Sequence, residues 1–411
     1  MTSFDALWHD IADVGRDAVT GGYHRFAWTA ADTTLREWFT ARAHERGLDV
    51  VPDRAGNLWA WWGDPDAEGP GLVVGSHLDS VPGGGAYDGP LGVISALAAL
   101  DALRDSGFSP HTPIGVACFA DEEGARFGIA CAGSRLLTGA LDPDRARGLT
   151  DADGFSLGEA AGHAGLDVEH LGPDPEALRR VGRFVELHVE QGRGLVHSGD
   201  AVGVGSAIWP HGRWRVDLAG RGDHAGTTAL ADRADPMLDL ARLITAVRAA
   251  AERHGAVATV GKVRVDPGGV NAIPSHVTAW LDARAAGEPA VRAVLADLAD
   301  FAPHEESFTV RTALDAGLTA DLAGLLAAPV LETGAGHDAG VLAQAGVPAS
   351  MLFVRNPTGV SHSPHEFAER DDCLAGVAAL TRVIEHLAGP PHQQAQPPVA
   401  GGPEPERSPL P

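Results

Sequence analysis

The chain has 411 residues, and 44% of them are hydrophobic, which is enough for two to three domains with a substantial core. Acidic residues number 55 against 31 lysines and arginines, and the net charge of −24 at pH 7 disfavours nucleic acid and anionic membrane surfaces as partners. The one lysine, Lys262, lies in no G-x-x-x-x-G-K-[ST] loop, which excludes a Walker-type nucleotide site.

The N-terminal part of the chain predicts helices alternating with strands. Apolar residues spaced by three and four predict a helix over about 4–18 and a second one from about Ala30 that stops at Gly47. Short apolar bursts and helical stretches then alternate: strands at 57–61, 71–75 and 113–120, and helices at 90–103 and 126–137. This pattern predicts an α/β fold with a mainly parallel sheet and flanking helices, in which ligands bind at the carboxyl ends of the strands.

A different order of elements follows between about 210 and 329. The predicted elements run β-α-β-β-α-β, with strands at 213–218, 257–266, 276–283 and 307–313 and helices at 236–254 and 289–301. This order is typical of a ferredoxin-like α+β domain with its own small core. The α/β pattern then resumes with a strand at 348–354 and a helix at 372–387.

We therefore expect a main domain made of residues 1–209 and 329–388, with residues 210–328 inserted as a second domain. Residues 389–411 are rich in Pro, Gly and Gln, which predicts a disordered tail. The three cysteines form no disulfide framework, three aspartates stand where a signal peptide needs positive charge, and no apolar run is long enough to span a bilayer. These features predict a cytoplasmic protein that is neither exported nor inserted into a membrane.

The first group of chemically active residues follows the strand at 71–75. His77 at the end of a buried strand can present a ring nitrogen to a metal, and Asp79 is placed to hydrogen-bond the other nitrogen. Three glycines at 83–85 let the chain fold back so that Asp88 approaches the same point, where one carboxylate can bridge two cations. In the alternative interpretation, His77 only caps the strand and the two aspartates only form turns.

The second group is a run of three carboxylates, Asp121, Glu122 and Glu123, at the end of the strand at 113–120. Adjacent carboxylates repel each other unless a cation compensates them or one holds a proton. Glu122 and Glu123 should point to different sides, so that one binds metal while the other moves protons, as a hydrolase requires. The alternative is a solvated acidic loop.

Two further histidines complete a possible metal site. His188 lies in a predicted strand of alternating polar and apolar residues, where a histidine that binds no metal would be a core residue. His362 lies in a polar segment after the strand at 348–354, where the alternative is a plain polar loop. All four groups lie at strand ends of one predicted layer, where sites converge. The combined set of nitrogen and oxygen donors contains no thiolate and suits two zinc, manganese, cobalt or nickel ions. It consists of His77, Asp88, Glu123, His188 and His362.

Four motifs resemble the dinuclear metallohydrolase superfamily that includes the aminoacylases, and within it the hydantoinase/carbamoylase branch. They are Gly-Ser-His-Leu-Asp-Ser-Val at 75–81, Glu-Glu-Gly-Ala-Arg-Phe-Gly at 122–128, His-Val-Glu-Gln-Gly at 188–192 and Ser-His-Ser-Pro-His-Glu at 361–366. The resemblance covers residues 1–388 and implies a zinc-exopeptidase-like main domain. It also implies that His77 and His188 hold one metal and Glu123 and His362 the other, that Asp88 bridges them, and that Glu122 is the general base.

The resemblance extends to the inserted domain, which it implies to be a lid and homodimerisation domain. By this likeness, His224 reaches the active site of the partner subunit and stabilises the tetrahedral intermediate, while Gln191, Asn271 and Arg284 contact the substrate. A guanidinium fork is a natural partner for a substrate carboxylate. Asn271 as a turn residue and His224 as a plain loop residue remain the alternatives. His337, in Gly-His-Asp, matches the family as support for the metal ligands. Ala229-Leu230 stands where the family often has Pro-Met, which leaves substrate preference open.

The resemblance implies hydrolysis of the ureido C–N bond of a small carboxylate substrate, either allantoate or an N-carbamoyl-L-amino acid, with release of ammonia and carbon dioxide. One alternative is an N-acyl amino acid hydrolase or a dipeptidase that uses the same metals. A second alternative, which is not an enzyme, is a catalytically inactive metal-binding scaffold. The intact set of five metal ligands together with Glu122 argues against the scaffold.

Overall fold

A computed structural model describes residues 2–390 of the chain. Apart from its first two residues, the predicted tail at 389–411 lies outside the described residues. The strands in the described part are β1 (Asp49–Pro52), β2 (Leu58–Trp62), β3 (Gly71–His77), β4 (Ile114–Phe119), β5 (Val181–Val189), β6 (Val202–Ile208), β7 (His211–Ala219), β8 (Asp223–His224), β9 (Val257–Asp266), β10 (Ala272–Ile273), β11 (His276–Arg284), β12 (His304–Thr309), β13 (Thr312–Ala313), β14 (Val330–Thr333) and β15 (Ala349–Val354).

Helices flank these strands. They are α1 (Ser3–Ile11), α2 (Ala30–Glu45), α3 (Pro65–Glu68), α4 (Pro90–Asp105), α5 (Ala132–Thr138), α6 (Pro143–Arg147), α7 (Leu157–His163), α8 (Pro175–Arg179), α9 (Gly194–Ser198), α10 (Pro236–His254), α11 (Glu288–Asp297), α12 (Ala316–Leu326), α13 (Asp338–Gln344) and α14 (Arg370–Ala388). Short 3₁₀ turns cover Val168–His170, Leu230–Asp232 and Ala299–Phe301. None of the helices in residues 2–390 combines the length and apolar character of a membrane span.

The larger sheet has nine strands in the order β1-β2-β4-β3-β5-β15-β6-β13, with β14 beside β6. Its centre, β4-β3-β5-β15, is parallel, while β1, β2 and β13 pair antiparallel with their neighbours and β6 runs antiparallel to β15. The prediction of a mainly parallel sheet is confirmed for the central strands, and β14 also pairs parallel with β6. The central strands β3, β4 and β15 are buried along their whole length, as expected for parallel strands covered on both faces.

Helices cover both faces of this sheet. One core contains side chains of α1, α2, α4 and α14, among them Leu35, Phe39, Leu97 and Leu380. The other core contains side chains of α5, α6, α7 and α13. These two layers hold the central strands and fix the edge at which their carboxyl ends meet.

A second, antiparallel sheet has the strand order β12-β7-β11-β9 and packs against α10 and α11. Its core contains Trp214, Val216, Leu243 and Leu281, all of them buried. The chain leaves the larger sheet after β6 and returns to it at β13, which pairs with β6.

Three predicted elements differ from the structure. The strand at 307–313 is divided between two sheets, because β12 pairs with β7 while β13 pairs with β6. The helix at 126–137 begins only at Ala132, because residues 120–131 form a loop in which Gly124 and Gly128 take positive φ angles. The helix at 4–18 ends at Ile11, and turns follow, with Gly15 at a φ of 70°.

Candidate metal centre

The carboxyl ends of the four parallel strands carry most of the predicted site. His77 is the last residue of β3, His188 the next to last of β5, and Glu122 and Glu123 follow β4. Asp88 comes just before α4, and its neighbour Gly89, at a φ of 85°, passes directly over the His77 ring. A Cβ at position 89 would lie 2.4 Å from Cε1 of that ring, so only glycine fits there.

One cluster of metal-binding atoms is formed by His77, Asp88 and His188. Asp88 Oδ1 lies 3.5 Å from His77 Nε2 and 3.1 Å from His188 Nε2. All three side chains are buried, and their ligand atoms lie within 4.8 Å of one another. Two imidazoles and a carboxylate at this spacing are a typical donor set for zinc or a similar divalent ion.

A second cluster is formed by Asp88, Glu123 and His362. His362 Nε2 lies 3.4 Å from Asp88 Oδ2 and 3.4 Å from Glu123 Oε2. Each oxygen of Asp88 therefore belongs to a different cluster. Oδ1 lies with His77 and His188, and Oδ2 lies with His362 of the second cluster. This arrangement matches a carboxylate that bridges two cations.

Hydrogen bonding of the two buried imidazoles fits a metal as well. His77 Nδ1 lies 3.1 Å from the Asp79 carbonyl oxygen, and His188 Nδ1 lies 2.9 Å from that of Val189. Because a carbonyl oxygen can only accept, the ring proton belongs on Nδ1 and a lone pair remains on each Nε2. Both Nε2 atoms are buried, have no hydrogen-bond partner within residues 2–390, and face the Asp88 carboxylate. A nitrogen lone pair and a negatively charged carboxylate that face each other repel, and a cation bound between them would remove that repulsion.

The charges of the site are consistent with this interpretation. Burial raises the pKa of Glu122 well above its ordinary value, and the Glu123 charge adds to that rise. Burial, followed by the charge of Asp88, raises the pKa of Glu123 to about 7. Burial alone would raise the pKa of Asp88, but His188, His362 and His77 hold it well below its ordinary value. A dense group of buried carboxylates at one point favours a bound cation.

Glu122 lies beside the first cluster without belonging to either one. Its Oε2 is 3.8 Å from His77 Nε2, and its Oε1 accepts a hydrogen bond from Cys131 Sγ at 3.4 Å. The carboxylate is buried. The structure therefore leaves Glu122 available for proton transfer next to the ligand set.

Asp79 contacts His77 with two groups. His77 Nδ1 lies 3.1 Å from the Asp79 carbonyl oxygen and 3.4 Å from the carboxylate Oδ1 of the same residue. The carboxylate also accepts from the backbone N–H groups of Glu122 at 3.1 Å and Glu123 at 3.0 Å. Asp79 thus links the loop after β3 to the acidic segment after β4 and orients that segment.

Two supporting residues were not predicted. Glu366 accepts hydrogen bonds from the backbone N–H groups of Tyr87 at 2.8 Å and Asp88 at 2.9 Å, and so holds the bridging residue in place. Asn57 accepts from the backbone N–H of Ala120 at 2.9 Å and so fixes the start of the acidic loop. The only signal for Glu366 in the sequence was its place in the Ser-His-Ser-Pro-His-Glu segment.

Two other predicted residues are close to the clusters. Gln191 Nε2 donates to Asp88 Oδ2 at 2.8 Å, while its Oε1 is buried without a partner. His337 is buried, and its ring centroid lies 4.5 Å from that of His188. Burial and the nearby His188 hold the pKa of His337 well below its ordinary value, so this ring is neutral. His337 therefore packs the His188 ring in position.

Within residues 2–390, His224, Asn271 and Arg284 belong to neither ligand cluster. His224 lies in β8 and Asn271 just before β10, and these two strands form a small sheet of their own. Both residues are exposed, and the Asn271 carbonyl accepts from the backbone N–H of Ala225 at 2.9 Å. Arg284 makes an ion pair with Asp282 and donates to the carbonyl oxygen of Gly334 at 2.9 Å. The charges of Glu122 and Glu123 contribute to raising the pKa of Arg284, after the larger effects of burial, which lowers it, and of Asp282.

Known proteins resemble the chain over most of its length. The sequence profile of peptidase family M20/M25/M40 matches residues 48–386. An N-carbamoyl-L-amino acid amidohydrolase of Geobacillus stearothermophilus is 36% identical over 94% of this chain and 99% of its own. An allantoate amidohydrolase of Escherichia coli is 31% identical over 90% and 93%. The crystal structure of a hydantoinase/carbamoylase family amidase from Burkholderia vietnamiensis superposes with a TM-score of 0.86 at 28% identity, covering 95% of this chain and 97% of that one.

Proposed function

Because the chain belongs to peptidase family M20/M25/M40, in its hydantoinase/carbamoylase branch, we propose that this amidohydrolase cleaves the ureido C–N bond of allantoate or of an N-carbamoyl-L-amino acid. The products would be ammonia, carbon dioxide and the amine that carries the substrate carboxylate. The observation that carries the proposal is the Asp88 carboxylate, which offers one oxygen to each of two ligand clusters while Glu122 lies beside them.

The donor set supports two divalent cations, zinc or manganese, with cobalt and nickel as the other candidates. His77 and His188 would hold one, Glu123 and His362 the other, and Asp88 would bridge them. Bound there, such a pair polarises the carbonyl to be cleaved and makes a water molecule acidic enough to attack it near neutral pH. The three free, buried cysteines are compatible with the cytoplasmic location that we propose.

Glu122 would act as the general base and then as the general acid. It is a buried carboxylate next to the ligands that is bound by neither cluster, so its Oε2 can take a proton from the attacking water. It would return that proton to the nitrogen that leaves. Asp79 supports this role because its carboxylate fixes the backbone N–H group of Glu122.

Arg284 would bind the substrate carboxylate, together with Asn271 and Gln191. Its guanidinium group can form two parallel hydrogen bonds to a carboxylate. Its hydrogen bond to the Gly334 carbonyl oxygen places the guanidinium beside the segment that leads to His337, which packs against the candidate ligand His188. The unpartnered Oε1 of Gln191 is a free acceptor for a substrate N–H group.

The second sheet would serve as a ferredoxin-like lid and homodimerisation domain within residues 210–328. Its strand order β12-β7-β11-β9 and its β-α-β-β-α-β sequence fit that fold. Edge strand β9 exposes Val257 and Val263, at 58% and 40% of their surface, and Leu230 and Val270, near the two-stranded sheet β8–β10, are exposed as well. These apolar edges support contact with a second copy, whose active site His224 would enter to stabilise the tetrahedral intermediate.

An ammonia-release assay after metal reconstitution tests this function. The substrates are allantoate, several N-carbamoyl-L-amino acids and β-ureidopropionate, with N-acetyl amino acids and dipeptides in parallel. We expect ammonia from at least one ureido substrate and loss of the activity on chelation. Cleavage of only the N-acetyl substrates or dipeptides would favour an aminoacylase or dipeptidase, and no turnover with any substrate would favour an inactive scaffold.

A further inference from the structure

Cys131 lies against Glu122 although the proposed reaction assigns it no part. Its Sγ is 3.4 Å from Glu122 Oε1, and the two residues are only 2% and 5% exposed. Within residues 2–390, no other side chain donates a hydrogen bond to this carboxylate, since His77 Nε2 remains 3.8 Å away. The thiol therefore bonds to Glu122 Oε1, while Oε2 is the oxygen that lies 3.8 Å from His77 Nε2.

The backbone around Cys131 holds the two side chains in register. The N–H of Cys131 donates to the carbonyl oxygen of Glu122 at 2.5 Å, and the N–H of Ala132 donates to that of Asp121 at 3.0 Å. The N–H of Gly133 donates to the carbonyl oxygen of Ala120 at 2.9 Å. The first residues of α5 are thus bonded to the acidic segment. Cys131 precedes that helix in the left-handed region, at a φ of 54°, which aims its side chain back at Glu122.

We propose that Cys131 is a positioning residue for Glu122. Its thiol donates to Oε1 and its apolar body keeps water from that side, so that Oε2 alone faces the His77 cluster. A thiol is a weak donor, which is enough to orient a carboxylate already confined by burial. This role rests on the proposed function of Glu122 as the proton-transfer group, because only then does its orientation affect turnover.

Steady-state kinetics of the metal-loaded enzyme test the role. Cys131→Ala should lower kcat about fivefold to tenfold, the consequence expected of losing one ordinary hydrogen bond, since the thiol is a weak donor, with KM and metal content unchanged. Cys131→Ser, which keeps a donor, should recover most of that loss. The control is Cys373→Ala, because Cys373 is equally buried but lies in α14. Wild-type kcat in Cys131→Ala, or equal losses in the Ala and Ser variants, would overturn the proposal.

Infrared spectroscopy of the S–H stretch provides a readout that needs no turnover. The band that disappears in Cys131→Ala should lie at lower frequency than that of Cys373, because hydrogen bonding weakens the S–H bond. It should move to higher frequency in Glu122→Ala. A Cys131 band that Glu122→Ala leaves in place would refute the contact. If no substrate is turned over, the proposed function fails, and this band still decides whether the thiol is bound to Glu122.

Discussion

The metal edge of the large sheet and the two-stranded sheet β8–β10 differ in how complete they are within one chain. At the metal edge, His77, Asp88 and His188 are buried, and the two imidazoles lie 3.5 and 3.1 Å from the carboxylate. At the two-stranded sheet, His224 and Asn271 are exposed, and the Asn271 carbonyl accepts from the backbone N–H of Ala225. The difference indicates that one chain brings the candidate metal ligands together by itself, whereas in the function that we propose the β8–β10 sheet acts only when substrate or another subunit meets it.

The cause of the difference lies in the topology. Parallel neighbours β4, β3, β5 and β15 end at one edge, so residues far apart in the chain converge there. Glu366, Gln191 and Ser361 then fix Asp88 in the middle of the group. The separate sheet β8–β10 pairs only two residues of each strand, and its strands are far apart in the chain. Four predictions sharpen or break this contrast.

The largest effect is expected from Glu122→Gln. The substitution keeps the size of the side chain but removes its ability to accept a proton, so kcat should fall roughly a thousandfold or more. The metal content measured by atomic absorption should stay at the wild-type level, because Glu122 lies in neither ligand cluster. Turnover close to wild type would show that another group is the base.

Mixing two inactive variants tests whether Glu122 of one subunit acts together with His224 of the other. His224→Ala alone should lower kcat about a hundredfold or more, the usual worth of a group that stabilises an oxyanion. Refolding it together with Glu122→Gln should restore about a quarter of wild-type turnover, because half of the dimers would then contain one intact composite site. No recovery in mixtures that sedimentation shows to be dimeric would place His224 outside the partner's site.

A smaller effect, on metal affinity, is expected from Glu366→Gln. Replacing one oxygen of this carboxylate weakens the group that accepts from the N–H groups of Tyr87 and Asp88. Divalent-metal affinity should fall roughly tenfold to a hundredfold, the usual cost of losing support behind a ligand. Competition with a chromophoric chelator measures it. As the matched control, Glu369→Gln changes a carboxylate three residues later, at the start of α14, and should leave the affinity unchanged.

The smallest effect is expected from Arg284→Lys on the second sheet. A lysine keeps the charge but cannot form two parallel hydrogen bonds, so KM for the ureido substrate should rise about tenfold while kcat changes little. Metal content should remain at the wild-type level. An unaltered KM would remove Arg284 from the substrate site.

The sequence predicted some levels of this structure better than others. The helix at 236–254 and the strand at 257–266 are confirmed to the residue, because periodicity and the flanking Pro and Gly mark them locally. The direction of the edge strands was not predictable, because a short apolar run does not show which strand will pair with it or in which direction. The strand predicted at 307–313 shows the same limit. Its sequence has the pattern of one continuous strand, but Val310 and Arg311 separate β12 in the second sheet from β13 in the larger sheet.

The residues of the candidate site were likewise predicted only in part. The spacing after each strand was enough to predict which residues converge, because strand ends share an edge. It was not enough for the whole role of Asp79, because its carboxylate lies near His77 Nδ1 and also accepts from the backbone N–H groups of Glu122 and Glu123. Glu366 contacts Asp88 across 278 positions, and no local pattern reports such a contact.

Anomalous diffraction from crystals of the zinc-loaded protein tests the central claim, that Asp88 joins two cations at one edge of the large sheet. Two peaks about 3.5 to 4 Å apart are expected. One should lie among His77, Asp88 and His188, and the other among Asp88, Glu123 and His362. A single peak, or two peaks that do not share Asp88, would contradict the account.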